Sequence, residues 1–266
     1  MGKLGTSGAS KLRVVALDDE LEKVFWDFVT RDLLDFHFFI YDWKFKREQT
    51  KLFMALDEAD VVAGLMVVFN GCIVQVRGSR EAVGLLLGQL DVEEVTVQAP
   101  LNCEDVVAAR FPVSEQKGTV VLLSLKKGEE NINVATETEK LNVGDADEIA
   151  ELMHEAYPEF WSVITAEGIA ETFGEAFWVG IRCDGKLVAF GKAVPTSSVS
   201  HVAWIATREG YRNRGYATSV LSALLREVLV SSSTAFIYVL SDNPVAMRLY
   251  SRVGFKRYKR YFYVKT

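Results

Sequence analysis

The sequence has few of the residues that form covalent or metal cross-links. It contains 3 cysteines and 3 histidines in 266 residues, and neither set has the spacing of metal ligands. Cys72, Cys103 and Cys183 are an odd number without a CxxC pair, so we expect neither a disulfide framework nor a zinc site. We expect three small, buried thiols in a reducing compartment, which indicates a cytoplasmic protein.

Long apolar runs are also missing. The most apolar stretch, 60–76, is interrupted by Gly64, Asn70 and Gly71 and predicts two strands and a turn, whereas a membrane span needs ~20 apolar residues. Residues 1–10 are small and polar, which predicts a flexible arm and excludes a signal peptide there. The net charge of −6 argues against general binding to nucleic acid or to an anionic membrane.

The hydrophobic fraction of 49% is enough for a core, and the apolar pattern predicts one order of elements used twice. In the first half we predict strands at 12–17, 51–56, 60–69, 72–77, 95–99 and 119–125, with helices near 21–28, 36–43, 83–90 and 102–110. In the second half we predict strands at 134–141, 176–183, 186–195, 199–206, 234–240 and 254–265, with helices near 146–153, 162–173, 216–229 and 243–252.

Aligning the halves supports a duplication. Val62-Ala63 matches Val188-Ala189 after a shift of 126, and Asn102 matches Asn243 after a shift of 141. The extra 15 residues fall around 205–217, where the first half passes from Gly78 almost directly into a helix. Two unrelated α/β units with a similar order of elements remain the alternative.

A polar, charged segment without an apolar period separates the halves and predicts a linker. The predicted organisation is a flexible arm at 1–10, a first domain at 11–127, a linker at 128–133 and a second domain at 134–266.

The stretch 202–229 begins as an apolar strand and ends as an amphipathic helix, with the loop Arg212–Ala217 between them. Such a loop exposes backbone N–H groups at the start of the helix, which is a ready anion site. Gly215 allows close approach of a phosphate, and two arginines add positive charge. Neither GxxxxGK[ST] nor a GxGxxG after a strand occurs.

A second motif begins at Asn243. Asn243 followed by Pro244 predicts the start of a helix, and Gly254 predicts its end. The two motifs, R-x-x-G-x-A and N-x-x-A-x-x-L-Y-x-x-x-G-F, resemble those of the GNAT superfamily of acyl-CoA N-acyltransferases, over residues of about 132–266. Ile205-Ala206-Thr207, which lead into the loop, and the loop Arg212–Ala217 itself most resemble the glycine N-acyltransferase-like branch of this superfamily. Glu209 departs from the family's common proline, and Ala217 replaces the commoner glycine.

The resemblance implies an α/β fold with a mixed sheet, arranged as two tandem GNAT-like domains. Each domain would be a twisted, mostly antiparallel sheet flanked by helices. It also implies a cofactor, acetyl-CoA (CoA). The implied contacts to the pantetheine arm come from Ile205, Ala206, Thr207 and Asn243. The implied pyrophosphate contacts come from the amides of Arg212, Asn213, Arg214, Gly215, Tyr216, Ala217 and Thr218.

The resemblance implies that Tyr250 lies near the thioester sulfur as the general acid, and a phenol of pKa ~10 can donate to a leaving thiolate. Alignment places His201 where histone-acetylating members carry a catalytic glutamate, so His201 is the candidate general base. Each of these residues also has a purely structural alternative. His201 would then be a hydrogen-bonded histidine on a strand, Asn243 a helix cap and Tyr250 a core aromatic. Glu159 and Glu175 are further candidates for the base.

The first half keeps Asn102 but has Ala109 in place of Tyr250, and it lacks the arginine-glycine loop. We interpret it as a degenerate GNAT-like domain that completes a substrate cleft or covers a sheet edge. The basic segment 256–260 is expected to be an exposed hairpin with solvated charges.

The predicted function is direct transfer of an acetyl group from acetyl-CoA to an amine of a small molecule or a peptide. The expected partners are therefore acyl-CoA and an amine substrate, with neither membrane nor nucleic acid, for a monomer or homodimer. A non-catalytic acyl-CoA-binding or scaffolding protein and an aminoacyl transferase are the alternatives.

Overall fold

The computed structural model describes residues 11–266 apart from residue 93, together with all their side chains except that of Glu159. The predicted arm at 1–10 and the side chain of Glu159, a candidate base, therefore lie outside the described residues. The chain forms two compact units. The first ends at Val120 and also takes in Arg260–Thr266, and the second is Val121–Lys259.

The first unit is a sheet between two layers of helices. Along β3, Leu65 and Val67 contribute to the core under α1 and α2, whereas Met66 and Val68 contribute to the core under α3 and α4. Because side chains alternate along a strand, this continuous apolar run buries both of its faces. The elements are β1 Arg13–Ala16, α1 Glu22–Val29, α2 His37–Phe45, β2 Thr50–Leu56, β3 Val62–Phe69, β4 Ile73–Gly78, α3 Arg80–Leu87, β5 Thr96–Pro100, α4 Glu104–Arg110 and β6 Gln116–Lys126, which continues into the second unit.

Strands β1 to β5 lie side by side in chain order, and β4 and β5 are the parallel neighbours among them. The strand beside β5 is the end of β12 (Lys256–Lys265), which pairs antiparallel with it from Tyr261–Pro100 to Lys265–Thr96. The hairpin predicted around 256–260 is wrong, since one uninterrupted strand runs through this segment. The last seven residues, assigned from the sequence to the second domain, thus group with the first unit.

The second unit has the same layered plan. On β8, Trp178 faces the core under α5, while Val179 faces the core under α8. In this unit the end of β6 is followed in the sheet by β11, β10, β9, β8 and β7. The elements are β7 Glu139–Lys140, α5 Ala146–Ala156, α6 Pro158–Trp161, α7 Ala166–Ala170, β8 Phe177–Cys183, β9 Lys186–Val194, β10 Val199–Thr207, α8 Tyr216–Ser231, β11 Thr234–Leu240 and α9 Pro244–Val253.

Three predicted segments of this unit differ in the structure. The strand predicted at 134–141 is reduced to Glu139–Lys140, and the helix predicted at 162–173 is replaced by the short helices α6 and α7. The predicted linker packs on the unit, since Asn131 N–H donates to Val253 O and Asn133 N–H donates to Ser222 Oγ. These bonds satisfy the polar backbone of the segment, which therefore belongs to the second unit.

Each unit contains one parallel pair of strands that separates after three residue pairs. The β4–β5 ladder ends at Gln75–Gln98, and the β10–β11 ladder ends at His201–Phe236. Gln75 and His201 differ by the shift of 126 found in the sequence. The shortened loop predicted near Gly78 is confirmed, because β4 ends at Gly78 and α3 begins at Arg80.

Candidate functional site

The candidate site begins where β10 and β11 separate. After His201 and Phe236, β10 continues to Thr207 and β11 to Leu240 without further residue pairs between them in the described ladder. An irregularity between Val202 and Trp204 marks the same point on β10. Facing strand edges of this kind leave backbone N–H and C=O groups for an extended ligand.

The start of α8 forms one end of this opening. Gly215 precedes the helix with φ +83°, and Asn213 also has a left-handed φ of +62°. A Cβ at Gly215 would meet no atom within 4 Å in the described structure, and no side chain there caps the first turn of the helix. The first N–H groups of this 16-residue helix therefore have no side-chain cap and are available to an anion.

The two arginines of the motif brace the loop itself. Arg212 Nε donates to Thr207 O at 3.2 Å, and Arg212 Nη2 donates to Ala156 O at 3.5 Å. Arg214 Nη2 donates to Gly210 O at 3.2 Å. By binding carbonyl groups, these side chains hold the loop's shape and keep positive charge beside the start of α8.

Asn243 caps α9, as its position in the motif predicts. Its Oδ1 accepts a hydrogen bond from Ala246 N–H at 3.0 Å, Pro244 is the first helical residue, and Gly254 ends the helix at φ +115°. The structure accounts for Asn243 as a helix cap, and its contact with pantetheine remains a prediction.

Tyr250 lies on α9 with only 7% of its surface exposed, in the core under α8. Its ring is edge-on to Phe255 at 6.0 Å between ring centroids. Burial raises the pKa of Tyr250 well above its usual range, and Tyr157 adds to this rise. The phenol therefore stays protonated at every working pH, as a hydrogen-bond donor must.

His201 occupies the last residue pair before the strands separate. Its ring is stacked on Phe236, with 4.8 Å between the ring centroids. His201 therefore lies where the opening between the two strands begins, and its role as a base stays a prediction. Glu175, the other candidate within the described side chains, is exposed and lies between α7 and β8.

Sequence reasoning missed Arg208 and its two carboxylate partners next to this opening. Arg208, the first residue after β10, is 2% exposed and pairs with Glu151 and Glu155 of α5. The side chain of Thr207, a residue expected to act through its backbone, has a buried Oγ1 without a hydrogen-bond partner among the described residues. The available signal was the i,i+4 spacing of the two glutamates, which places them on one helix face.

Lys192 was also missed. It is 7% exposed, and its ammonium lies 4.3 Å from the ring centroid of Trp204 and 5.2 Å from that of Trp178. Within the part of the chain that the structure describes, no cluster of His, Cys, Asp and Glu is arranged to hold a metal ion, and no helix is long and apolar enough to cross a membrane. All three cysteines are free, but the expectation that all three are buried is wrong: Cys103 is buried, Cys183 is partly exposed, and Cys72 is exposed in the turn between β3 and β4.

Comparisons with known proteins agree with this arrangement. The model of the Acetyltransferase (GNAT) family matches residues 146–255. A Drosophila melanogaster protein has a similar solved structure, with a TM-score of 0.71 at 14% identity over 97% of this chain and 98% of the other. A tandem GNAT protein from the clavulanic acid biosynthesis pathway has a TM-score of 0.64 at 14% identity over 96% and 98% of the two chains.

An acetyltransferase from Colwellia psychrerythraea has a TM-score of 0.60 at 13% identity, over 95% of this chain and 99% of the other. No curated protein matches the sequence. The predicted mixed α/β fold is confirmed by these structures, which at such low identity establish the fold alone. Residues 146–255 thus match the GNAT acetyltransferase family model, and the chain has the fold of solved GNAT acetyltransferase structures.

Proposed function

We propose that the second unit transfers an acetyl group from acetyl-CoA directly to an amine of a small molecule or a peptide, in the cytoplasm. The observation that carries the proposal is the open, uncapped start of α8 beside the diverging strands β10 and β11. A helix start suits the pyrophosphate of CoA, and the strand edge suits its amide-containing arm.

The residues present fit this cofactor. The hydroxyl of Thr207 is a buried polar atom without a hydrogen-bond partner in the part of the chain that the structure describes, and the space beside Gly215 is open. In the proposed assignment, the backbone of Ile205, Ala206 and Thr207 binds the pantetheine arm together with Asn243. The pyrophosphate is bound by the amides of Arg212, Asn213, Arg214, Gly215, Tyr216, Ala217 and Thr218.

When bound, acetyl-CoA supplies an acyl group activated as a thioester. Tyr250, kept protonated by burial, donates its phenolic hydrogen bond towards the leaving sulfur. His201 takes a proton from the incoming ammonium, directly or through a water, as the candidate general base. No covalent enzyme intermediate is proposed, since no serine or cysteine stands in a supporting motif.

We propose that the first unit is a degenerate copy that binds no acyl-CoA. Its parallel strands also separate, after Gln75 and Gln98, but Arg77 fills the gap between them. Arg77 Nη1 donates to Val76 O at 2.9 Å on β4 and to Gln98 O at 3.4 Å on β5. Arg77 Nη2 also donates to Gln98 Oε1 at 2.5 Å. The carbonyl groups that an extended ligand would use are thus already bound.

The test is release of CoA thiol from acetyl-CoA over a panel of amines, with binding followed by calorimetry. Turnover with one amine class supports the proposal, and Tyr250→Phe should then lower kcat while leaving CoA affinity within twofold. Binding without turnover on any amine would favour a non-catalytic acyl-CoA-binding protein. Transfer that requires aminoacyl-tRNA would favour the aminoacyl transferase. The similarity of the 205–217 segment to the glycine N-acyltransferase-like branch makes small amino acids the first amines to try.

A further inference from the structure

We infer that Arg208 is the positioning residue of the acyl-CoA loop, fixing residues 208–215 to β9 and to helix α5. This inference rests on the proposed function of that loop. Arg208 lies between the last residue of β10 and the short turn Glu209–Tyr211, and it is buried. Its hydrogen bonds run to β9, to the turn and to α5, so we assign it a positioning role that acts through the loop.

The backbone of Arg208 fixes the entry of the loop. Its N–H donates to Val188 O on β9 at 2.9 Å, and its carbonyl accepts from Tyr211 N–H at 2.9 Å. The first bond extends the β9 pairing by one residue beyond β10, and the second closes the turn at 209–211. A displacement of Arg208 would therefore displace the loop that follows it.

The side chain of Arg208 joins the same point to two further elements. Its Nε donates to Leu187 O on β9 at 2.8 Å. Its Nη1 pairs with Glu155 and, at 3.3 Å, with Glu151, one turn apart on α5. A planar guanidinium makes these bonds in different directions at once, which the single ammonium of lysine does not reproduce.

The end of α5 contacts the loop a second time. Ala156, the last residue of α5, accepts a hydrogen bond from Arg212 Nη2 at 3.5 Å. The loop holds two left-handed residues: Gly215 adopts this conformation freely, whereas Asn213 adopts it at a modest steric cost that such contacts help to offset. Arg208 and Arg212 together tie the loop to one helix end.

Arg182 provides a matched control in the same unit. Its guanidinium pairs with Glu139 at 2.6 Å, with Asp145 at 2.5 Å and with Glu148 of α5. It therefore joins the same helix to a strand through several carboxylates, as Arg208 does, but its described contacts include none with residues 208–215. Loss of either arginine removes an ion-pair network, and only one of the two networks holds the loop.

The experiment compares full-length wild type, Arg208→Met, Arg208→Lys and Arg182→Met by calorimetry with CoA, thermal unfolding and steady-state kinetics with acetyl-CoA. Arg208→Met should weaken CoA affinity at least tenfold and raise KM for acetyl-CoA, with kcat within threefold of wild type. Arg208→Lys should restore only part of the affinity. Arg182→Met should lower Tm as much as Arg208→Met does, but it should leave CoA affinity within twofold of wild type.

Glu151 and Glu155 are 63% and 41% exposed, so they can be solvated when Arg208 is replaced, and α5 should survive. If Arg208→Met does not fold, the Glu151→Gln/Glu155→Gln double variant takes its place as the test. We expect this double variant to lose CoA affinity three- to tenfold. Wild-type affinity in the folded Arg208 variant, or in that double variant, overturns the inference while leaving the proposed function intact. An absence of CoA binding by the wild type overturns the proposed function, and the inference with it.

Discussion

The hydroxyl of Tyr261 donates a hydrogen bond to Asp35 Oδ1 at 2.5 Å, across 226 positions of the sequence. The same oxygen accepts from Arg77 Nε at 2.5 Å, and the Arg77 guanidinium lies 3.9 Å from the centroid of the Tyr261 ring. All three residues belong to the first unit and are buried. The last strand of the chain is therefore part of the polar core of that unit.

Tyr261→Phe should lower the free energy of unfolding by about 1.5–3 kcal/mol, the usual contribution of a hydrogen bond to a charged group. The reason is that Asp35 loses a donor while it stays buried. Tyr263→Phe on the same strand is the control, and its half-buried hydroxyl should contribute less. Denaturant unfolding checks both variants, and equal losses would contradict the role given to Tyr261.

Arg77→Ala should destabilise the protein by about 3–5 kcal/mol, because it leaves the Asp35 carboxylate buried without its cation. Methylguanidinium added to this variant should occupy the vacated gap and raise its Tm. Arg80→Ala is the matched control, since the Arg80–Asp105 pair is exposed and its loss should change the free energy of unfolding far less. A small loss of stability in Arg77→Ala would contradict the claim that Arg77 fills the gap between β4 and β5. An equal rise in the Tm of both variants with methylguanidinium would contradict it too.

The sequence predicted those helices whose starts are marked by residue types that favour a helix start. Gly215 and Asn243 stand at helix starts that their residue types favour, and both helices begin within one residue of the predicted place. Arg208 and Arg77 carried no such signal, because the side-chain hydrogen bonds that join them to other elements span 21 to 57 positions and form only once the sheet is assembled.

The pairing partner of the last strand, β12, likewise carries no local signal in the sequence. The sequence predicts strand structure near 254–265 but does not say which neighbour it pairs with. Pairing with β5 is set by side chains such as Tyr261, whose carboxylate partner lies near the start of the chain. Its membership of the first unit could therefore not be predicted from sequence.

Asn243→Ala should lower the free energy of unfolding by about 1 kcal/mol through loss of the α9 cap. Asn243→Ser keeps an oxygen that can cap, so its stability should stay close to that of the wild type. If the carboxamide also contacts the pantetheine arm, both variants should bind CoA more weakly. Wild-type affinity in Asn243→Ser, measured by calorimetry, would leave Asn243 with the cap alone.

Stability should depend on pH through Asp42 of α2. Burial raises the pKa of Asp42 to about 7, against the opposing effect of Lys46. Between pH ~4 and 7 the native carboxyl holds a proton that the unfolded chain has released, so the native state loses stability as the pH rises through this window. Asp42→Asn does not titrate, so its Tm relative to wild type should increase from pH 4 to pH 7 and then level off.

The buried His37 does not disturb this comparison. Burial lowers the pKa of His37 to about 3, so it destabilises the native state as the pH falls below ~6.5 in wild type and in Asp42→Asn alike. The difference between the two proteins therefore reports Asp42. A difference that is constant from pH 4 to pH 8 would contradict the raised pKa.

Calorimetric titration of the full-length protein with CoA tests the central claim most directly, with Gly215→Leu as the test variant and Gly210→Leu as its control in the same loop. Neither glycine has an atom within 4 Å of the position of an added Cβ, but only Gly215 has a left-handed φ at the start of α8. We predict one CoA per chain for wild type and Gly210→Leu, and no measurable binding for Gly215→Leu. A wild-type protein that binds no CoA, or a Gly215→Leu variant that binds it as tightly as wild type, would contradict the account.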